Sequence, residues 1–254
     1  MTVIAASGLS VERDGGDPLV QDVSFSVSPG EMVLLAGPSG SGKTLLGKAV
    51  SGILGPRSTL SVTGEIRRYG TVGYLFQNPR TQLVRRGVRQ DIAFGLENVG
   101  MAPAAIEKRL EAWAERVDAT HLLDRGIDNL SRGETAVVAL LGTLVTEPDL
   151  LVLDEPLAPL DERNRQFVLD VVDELRDRDA TLLVAEHDSR GLLERADRVL
   201  LLENGQITAS GAPGALRSDL REAGIRLPFE TLVGLERART DESASRPDGG
   251  DRQQ

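Results

Sequence analysis

The chain has 254 residues, of which 40% are hydrophobic and 27% are charged, and this suits one globular domain or one domain with an inserted subdomain. The absence of cysteine excludes a disulfide scaffold, a cysteine-type zinc site and a thiol enzyme. The net charge of -10 argues against a nucleic acid or an anionic lipid as the main partner, because both would repel an acidic body. No apolar run approaches the roughly 18 residues of a spanning helix. The first ten residues, MTVIAASGLS, have no basic region before their apolar stretch, so we expect a cytoplasmic protein without a secretion signal.

Strand-like and helix-like patterns alternate along the chain. The strand-like stretches cover 19–27, 31–36, 72–76, 150–153, 181–185 and 198–202. The apolar residues of 19–27 alternate with polar ones, whereas several of the other stretches are continuous aliphatic runs. Such runs are typical of strands buried on both faces of a parallel sheet. Apolar residues at spacings of three and four predict helices over 103–117 and 164–175. Asn204 and Gly205 predict a hairpin turn near the end of the sheet. The order of these elements predicts an α/β fold with helices covering the sheet.

The segment 78–142 lacks strand-like runs and interrupts this alternation. We therefore predict an α/β core made of residues 1–77 and 143–236, with 78–142 inserted as an α-helical subdomain. The last residues, 237–254, are polar and rich in Asp, Arg, Ser and Gly, so we predict a flexible tail there.

A glycine-rich loop follows the predicted strand at 31–36 and precedes a helical pattern. It has the form GxxxxGK[ST] and consists of Gly37, Pro38, Ser39, Gly40, Ser41, Gly42, Lys43 and Thr44. Glycines allow successive backbone N–H groups to point at phosphate oxygens, and the start of a helix adds partial positive charge. Lysine in this motif reaches the β- and γ-phosphates, and the hydroxyl after it ligates Mg²⁺. A Gly/Ser-rich loop with a chance lysine is the alternative, but the flanking strand and helix favour a nucleotide site.

Two adjacent carboxylates follow the aliphatic run at 150–153. Asp154 and Glu155 would therefore emerge at the carboxyl end of a buried strand, where α/β sheets bind ligands. A nucleoside triphosphatase needs a second anchor for Mg²⁺ and a group that polarises the attacking water. We assign the first task to Asp154 and the second to Glu155. The alternative is a strand that ends in an acidic helix cap.

Five further segments appear in a fixed order and resemble one family. They are FQNP at 76–79, NLSRGE at 129–134, PLAPLD at 156–161, AEHD at 185–188 and ADRV at 196–199. In that order they resemble the nucleotide-binding domain of ABC-type ATPases, over roughly residues 3–210. The Leu-Ser-x-Gly segment is the specific marker. The resemblance implies a P-loop NTPase (RecA-like) core with an inserted helical subdomain, ATP and Mg²⁺ as cofactors, and ATP hydrolysis.

The resemblance also implies roles for individual residues. Gln77 would contact Mg²⁺ and the attacking water, and His187 would bind the γ-phosphate and hold Glu155 in place. Ser131 and Gly133 would contact the γ-phosphate of ATP on the opposite subunit, and Asp161 would cross the dimer interface. ATP would thus be enclosed between two subunits, and its hydrolysis would release them.

Three positions depart from the usual pattern of the family. The signature reads LSRGE rather than LSGGQ, so Arg132 and Glu134 introduce charges beside the nucleotide, and Arg132 could neutralise Glu134. Arg13 stands at about the place of the aromatic residue that usually stacks on adenine, and a guanidinium can also stack on a ring. The second histidine, His121, is interpreted as structural or solvated.

The stretch from 72 to 101 most resembles the ATPase subunits of energy-coupling factor importers of vitamins, cobalt or nickel. That resemblance implies three partners: a second ATPase subunit in a homo- or heterodimer, an integral membrane subunit, and a membrane-embedded substrate-capture protein. The chain would then lie peripherally on the cytoplasmic face of the membrane. Arg85, Arg86 and Arg89 are interpreted either as a solvated face or as a docking surface for an acidic partner helix.

Other function classes are less consistent with the sequence. An ABC ATPase acting on DNA or ribosomes would carry a coiled-coil insertion, a second cassette or a basic patch. A P-loop kinase or GTPase would leave Ser131, Gly133 and His187 unexplained, and a binding module without catalysis would not need Glu155. Another ABC importer or an exporter is the nearest alternative.

Overall fold

The computed structural model describes residues 2–13, 16–54, 59–158 and 160–228. The predicted tail at 237–254 lies outside the described residues. The strands of the described part are β1 (Ile4–Arg13), β2 (Pro18–Val27), β3 (Met32–Ala36), β4 (Leu60–Arg68), β5 (Val72–Leu75), β6 (Leu150–Asp154), β7 (Leu182–Glu186), β8 (Arg198–Glu203) and β9 (Gln206–Gly211). Its α-helices are α1 (Lys43–Ser51), α2 (Val88–Asn98), α3 (Pro103–Arg116), α4 (Arg132–Leu144), α5 (Glu162–Arg176) and α6 (Arg217–Glu222).

Six strands form the central sheet in the order β5-β6-β7-β3-β8-β9. The first five are parallel, and β9 returns antiparallel to β8. Asn204 and Gly205 make the turn between β8 and β9 with φ angles of 48° and 79°, so the predicted hairpin is confirmed. The parallel register brings the carboxyl ends of β3, β5, β6 and β7 to one edge, and this edge carries the predicted nucleotide site.

A second sheet of three antiparallel strands, in the order β2-β1-β4, covers part of the first. Helix α1 contacts β1 and β2 on one side and β5, β6 and β7 on the other, so it lies between the two sheets. The sequence patterns predicted β2 but not β4. Leu60, Val62 and Ile66 of β4 do alternate with polar residues, but Gly64 interrupts the alternation, and the side chains of the strand are exposed or half-buried along its whole length.

The central sheet separates two hydrophobic cores. Met32, Leu34 and Ala36 of β3 face the helices α2 to α5, whereas Val33 and Leu35 face α1 and the antiparallel sheet. All five side chains are fully buried. A strand covered on both faces has no polar side, which explains the continuous aliphatic runs of the sequence.

Between β5 and β6 the described chain forms α2, α3, α4 and short 3₁₀ turns, without a strand. Helix α4 continues to Leu144, two residues beyond the predicted boundary at 142. Its inner face joins the same apolar core as β6 and β7. Among the described residues, no helix has both the length and the apolar character that crossing a membrane requires.

Candidate nucleotide site

The glycine-rich loop connects β3 to α1 at the carboxyl edge of the sheet. Lys43 is 4% exposed, and its Nζ donates hydrogen bonds to the carbonyl oxygens of Gly37 (2.8 Å) and Pro38 (3.0 Å). Burial lowers the pKa of Lys43, and the nearby carboxylates, that of Glu155 above all, counteract this effect. The ammonium group is therefore held over the loop, where it would meet a phosphate.

Close packing fixes the shape of this loop. A Cβ atom on Gly37 would lie 2.2 Å from the carbonyl oxygen of Leu202, so only glycine fits at that position. Gly42 has a φ of +104°, in the left-handed region that favours glycine. The backbone N–H of Gly205 donates to the carbonyl oxygen of Ser41 at 3.0 Å, which ties the loop to the β8–β9 hairpin. The predicted loop residues thus form a closely packed cradle between β3 and α1, at the position where the sequence predicts phosphate binding.

Asp154 ends β6 beside this cradle and is 1% exposed. Its two carboxylate oxygens each accept a hydrogen bond of 2.9 Å, one from the Thr44 hydroxyl and one from the Tyr74 hydroxyl. Burial raises the pKa of Asp154, and the two hydrogen bonds act in the opposite direction. Burial, followed by the charge of Asp154, raises the pKa of Tyr74. The sequence predicted Thr44 and Asp154 as neighbours but gave Tyr74 no role.

Glu155 and Gln77 meet at the same edge. Glu155 has a φ of +48°, and its backbone N–H donates to the carbonyl oxygen of Ala185 at 2.9 Å. Gln77 follows β5, the neighbour of β6, and its Nε2 donates to Glu155 Oε2 at 2.8 Å. The structure therefore brings together two of the three predicted catalytic residues by a direct hydrogen bond.

His187 follows β7, which lies beside β6, and it approaches the same carboxylate. Its Nδ1 lies 3.7 Å from Glu155 Oε1 and 3.6 Å from Oε2 of Glu186. Glu186 is 1% exposed, and burial raises its pKa to about 7. The sequence analysis gave Glu186 no function; the available signal was a charged residue at the end of a buried aliphatic strand.

The signature segment forms the start of α4. Ser131 is the N-cap residue: its hydroxyl accepts from the backbone N–H of Glu134 (3.2 Å), and Glu134 Oε2 accepts from the backbone N–H of Ser131 (2.7 Å). The charge of Glu134 is paired with Arg125 at 2.6 Å, whereas Arg132 is exposed. The suggestion that Arg132 neutralises Glu134 is therefore wrong, because Glu134 forms its ion pair with Arg125 of the preceding loop.

Gly133 and Asp161 are linked through the start of α5. Asp161 is the N-cap residue of α5, and its Oδ1 accepts from the backbone N–H of Asn164 at 2.9 Å and from Asn164 Nδ2 at 2.8 Å. A Cβ atom on Gly133 would lie 2.2 Å from Asn164 Nδ2. Within the described residues, no hydrogen bond connects Ser131, Gly133 or Asp161 to the glycine-rich loop. They form a second group, beside a cleft of about 250 Å³ that is also lined by His121.

Comparison with known proteins decides the family. The family model described as "ABC transporter" matches residues 20–158, more than half of the chain. The chain belongs to the ABC transporter family. It is therefore an ATP-binding and ATP-hydrolysing transporter subunit.

Several relatives of this ABC ATPase have more specific names. The energy-coupling factor transporter ATP-binding protein EcfA1 of Bacillus licheniformis is 34% identical over 242 residues, which cover 89% of this chain and 85% of that protein. EcfA1 of Halalkalibacterium halodurans is 36% identical over 232 residues, with coverages of 86% and 82%. Among solved structures, cbiO1 from Clostridium perfringens, part of the ABC transporter complex cbiONQ, is 27% identical with a TM-score of 0.75, and the match covers 91% of this chain and 98% of that one. These names confirm the resemblance to the energy-coupling factor group.

Of the three arginines Arg85, Arg86 and Arg89, two have side-chain partners within the described part of this ABC ATPase. The guanidinium of Arg85 lies 4.3 Å from the ring centre of Phe94. Arg89 forms ion pairs with Glu107 at 2.6 Å and Asp124 at 3.4 Å. Arg86 is exposed, so among these arginines it is the best candidate for an intermolecular contact.

One predicted nucleotide contact lies apart from the cradle. Arg13 is the last residue of β1, where it pairs with Leu60 of β4, and its side chain is exposed. Within the described residues, no hydrogen bond joins Arg13 to the glycine-rich loop, and a guanidinium stands where the family usually has an aromatic ring. The adenine contact therefore stays a prediction.

Proposed function

We propose that this chain is the ATPase subunit of an energy-coupling factor importer, in which closure of an ATPase dimer on ATP drives the uptake of a micronutrient, a vitamin or cobalt or nickel. The observation that carries this proposal is the cluster at the carboxyl edge of the sheet. Thr44 donates to Asp154, and Gln77 donates to Glu155, with donor–acceptor distances of 2.9 Å and 2.8 Å. The runner-up is the same ATPase in another ABC importer or an exporter.

The residues of the cradle fit a triphosphate with Mg²⁺. The backbone N–H groups of residues 37–44 and the ammonium group of Lys43 would bind the phosphates. The donor set for the cation consists of the Thr44 hydroxyl, the Asp154 carboxylate and the Gln77 amide oxygen, all hard oxygen ligands of the kind that Mg²⁺ prefers. When bound, the cation would neutralise charge on the phosphates. Arg13 would support the base by stacking.

Hydrolysis needs a base near the γ-phosphate, and Glu155 is the best candidate. Its carboxylate is half-buried at the end of a rigid strand, and Gln77 orients one of its oxygens. The other oxygen faces His187, 3.7 Å away. Glu155 would polarise the attacking water, while His187 would bind the γ-phosphate and keep the carboxylate in place.

The second group of residues would act on a nucleotide held by another subunit. Ser131 and the N-terminus of α4 would donate to its γ-phosphate, with Gly133 allowing close approach, and Asp161 would cross the interface. The γ-phosphate then supplies the difference in affinity between the closed and the open dimer, and hydrolysis removes it. This arrangement accounts for the lack of any hydrogen bond, within the described residues, between the chain's own cradle and Ser131 or Asp161.

The remaining partners follow from the energy-coupling factor assignment. An integral membrane subunit would dock beside Gln77 on the cytoplasmic face, and a membrane-embedded protein would capture the substrate. We propose that residues 78–142 act as the helical subdomain that transmits movement to the membrane subunit, with residues 1–77 and 143–236 as the core. Arg86 would contribute to that docking surface.

The role of Glu155 is tested by Glu155→Gln, which keeps the size and the contact with Gln77 but removes the charge. We expect ATP binding with turnover reduced by at least a factor of roughly 10², and a dimer that persists in ATP, detected by light scattering. Hydrolysis at the wild-type rate would remove Glu155 from its role and refute the proposal.

The type of transporter is tested by isolating the membrane assembly that contains the chain. We expect one integral membrane partner, a small multi-helix substrate binder, and a micronutrient identified by mass spectrometry. Recovery of paired permeases with a separate soluble binding protein, or of an exporter, would replace the energy-coupling factor assignment by the runner-up.

A further inference from the structure

Glu186 is a buried acidic residue to which the proposed function gives no role. Glu186 ends β7, between β6 and β3, and its side chain is 1% exposed. Transfer of a carboxylate from water into such a site is costly unless hydrogen bonds compensate. The compensation here comes from two backbone donors: Leu157 N–H to Oε1 at 3.0 Å, and His187 N–H to Oε2 at 3.2 Å. The carboxylate is therefore held in one orientation at the reacting edge of the sheet.

The imidazole of His187 stands beside this fixed carboxylate. Its Nδ1 is buried and has no hydrogen-bond partner within the described residues. The two nearest acceptors are almost equally distant: Glu186 Oε2 at 3.6 Å and Glu155 Oε1 at 3.7 Å. A buried ring N–H is expected to have a partner, and a movement of less than about 1 Å would bring Nδ1 within hydrogen-bond distance of either oxygen.

We propose that Glu186 is a positioning residue for His187: its Oε2 accepts the Nδ1 proton when Glu155 does not, so that the ring has two alternative partners and one fixed tautomer. This inference rests on the roles proposed above for His187 and Glu155. With Nδ1–H directed at a carboxylate, Nε2 is the nitrogen left for the nucleotide. If the hydrogen bond from Nδ1–H changes its acceptor from Glu155 to Glu186, Glu155 becomes free to bind the attacking water. The ring N–H still has a partner.

The position of Leu157 adds a mechanical connection. Leu157 lies two residues after Glu155 in the segment that leads to Asp161, and its backbone N–H is bound to the same carboxylate that faces His187. Displacement of this segment at a dimer interface would therefore shift Glu186 Oε1. Because both oxygens belong to one planar carboxylate, Oε2 would shift as well, next to His187. A carboxylate serves both contacts at once because it has two acceptor oxygens.

The competing interpretation is that Glu186 only stabilises the strand end by accepting two backbone N–H groups. Glu186→Gln separates the two interpretations when it is compared with and without the His187 side chain. Gln keeps only one acceptor oxygen; with that oxygen on Leu157, its NH₂ group stands where Oε2 was, so the backbone N–H and Nδ1 of His187 both lose this acceptor. The loss of the backbone contact is the same in both backgrounds, whereas the loss of the Nδ1 contact needs the imidazole. The matched control is Glu31→Gln, since Glu31 is a mostly buried carboxylate at the amino end of β3, paired with Arg198 at 2.7 Å.

The kinetic test measures ATP hydrolysis by the full chain in the assembly with which it copurifies. We expect Glu186→Gln to lower kcat by on the order of tenfold to a hundredfold, as for other groups that orient a working histidine, with KM for ATP within about twofold. In a His187→Ala background the same substitution should change kcat by less than about twofold, because the effect acts through His187. Glu31→Gln should leave kcat unchanged. A loss of equal size in both backgrounds would overturn the proposal.

A second measurement does not depend on hydrolysis. The chain contains only two histidines, so ¹⁵N spectra of the imidazoles in the full chain report each tautomer, with His121→Gln providing the assignment. We expect His187 to carry its proton on Nδ1 in the wild-type chain and in Glu155→Gln, where Glu186 is the carboxylate that remains, and on Nε2 when Glu155→Gln and Glu186→Gln are combined, while His121 is unchanged. An unchanged His187 tautomer in the combined variant would overturn the proposal even if kcat falls. Conversely, full activity of Glu155→Gln with the expected tautomers would refute the proposed function alone.

Discussion

The burial of Glu186 should make the free energy of unfolding depend on pH. Its pKa is 4.5 as a free side chain and about 7 in the folded chain, where burial is the main cause. The folded state therefore binds the carboxyl proton of Glu186 more tightly than the unfolded state does. The stability that this protonated carboxyl contributes is fully present below pH 4.5 and is lost as the pH rises to about 7. The shift corresponds to about 3 kcal/mol. Glu186→Gln cannot titrate, so its free energy of unfolding should lack this loss.

The assay is urea unfolding of the wild-type chain and of Glu186→Gln at pH 5, 6, 7 and 8. The free energy of unfolding of Glu186→Gln minus that of the wild-type chain should increase by about 2–3 kcal/mol from pH 5 to pH 8. The ionisable groups that face Glu186 are the same in both chains; they are Lys43, Glu155, His187 and Asp188. A difference that does not change with pH would refute the reasoning.

A control with the opposite sign comes from the other end of β6. Hydrogen bonds from the backbone N–H and the hydroxyl of Thr71 lower the pKa of Asp149. The stability that this carboxylate contributes is present above its unfolded pKa of 3.8 and is lost only as the pH falls below that value. Asp149→Asn should therefore differ from the wild-type chain by a constant amount between pH 5 and 8, under the same urea protocol.

Two further predictions concern packing at the site. Gly133→Ala should lower the free energy of unfolding by about 1–3 kcal/mol, because the new Cβ would lie 2.2 Å from Asn164 Nδ2. The same change should cost less in an Asn164→Ala background, and an equal cost in thermal or urea unfolding would show that the clash is not the cause. Tyr74→Phe should cost about 1–2 kcal/mol, since the buried Asp154 loses a hydrogen bond of 2.9 Å. Tyr69→Phe, at a ring that is 59% exposed, is the control; equal effects of the two substitutions in urea would contradict the assignment.

The central sheet and the phosphate cradle were predictable because their signals are local. The inner positions of a strand buried on both faces are apolar, so residues 150–153 and 182–185 appear in the sequence as aliphatic runs. A phosphate-binding loop requires glycines, a lysine and a hydroxyl at fixed spacing, and this pattern also fixed the positions of Lys43 and Thr44. Asp154 and Glu155 followed, because polar groups after a parallel strand emerge at the ligand-binding edge.

Contacts between distant segments were decided by the tertiary structure alone. The bond from Tyr74 to Asp154 and the pairing of Arg125 with Glu134 depend on which strand and which loop become neighbours. The strand β4 carries only a short apolar alternation that Gly64 interrupts, and its place in the second sheet is set by the backbone hydrogen bonds that it forms with β1. The aliphatic run before Glu186 places it at the end of a buried strand, but only the fold brings it next to Leu157 and His187. Local pattern specifies which groups each element carries, whereas burial, pKa and hydrogen-bond partners depend on what the fold packs against them.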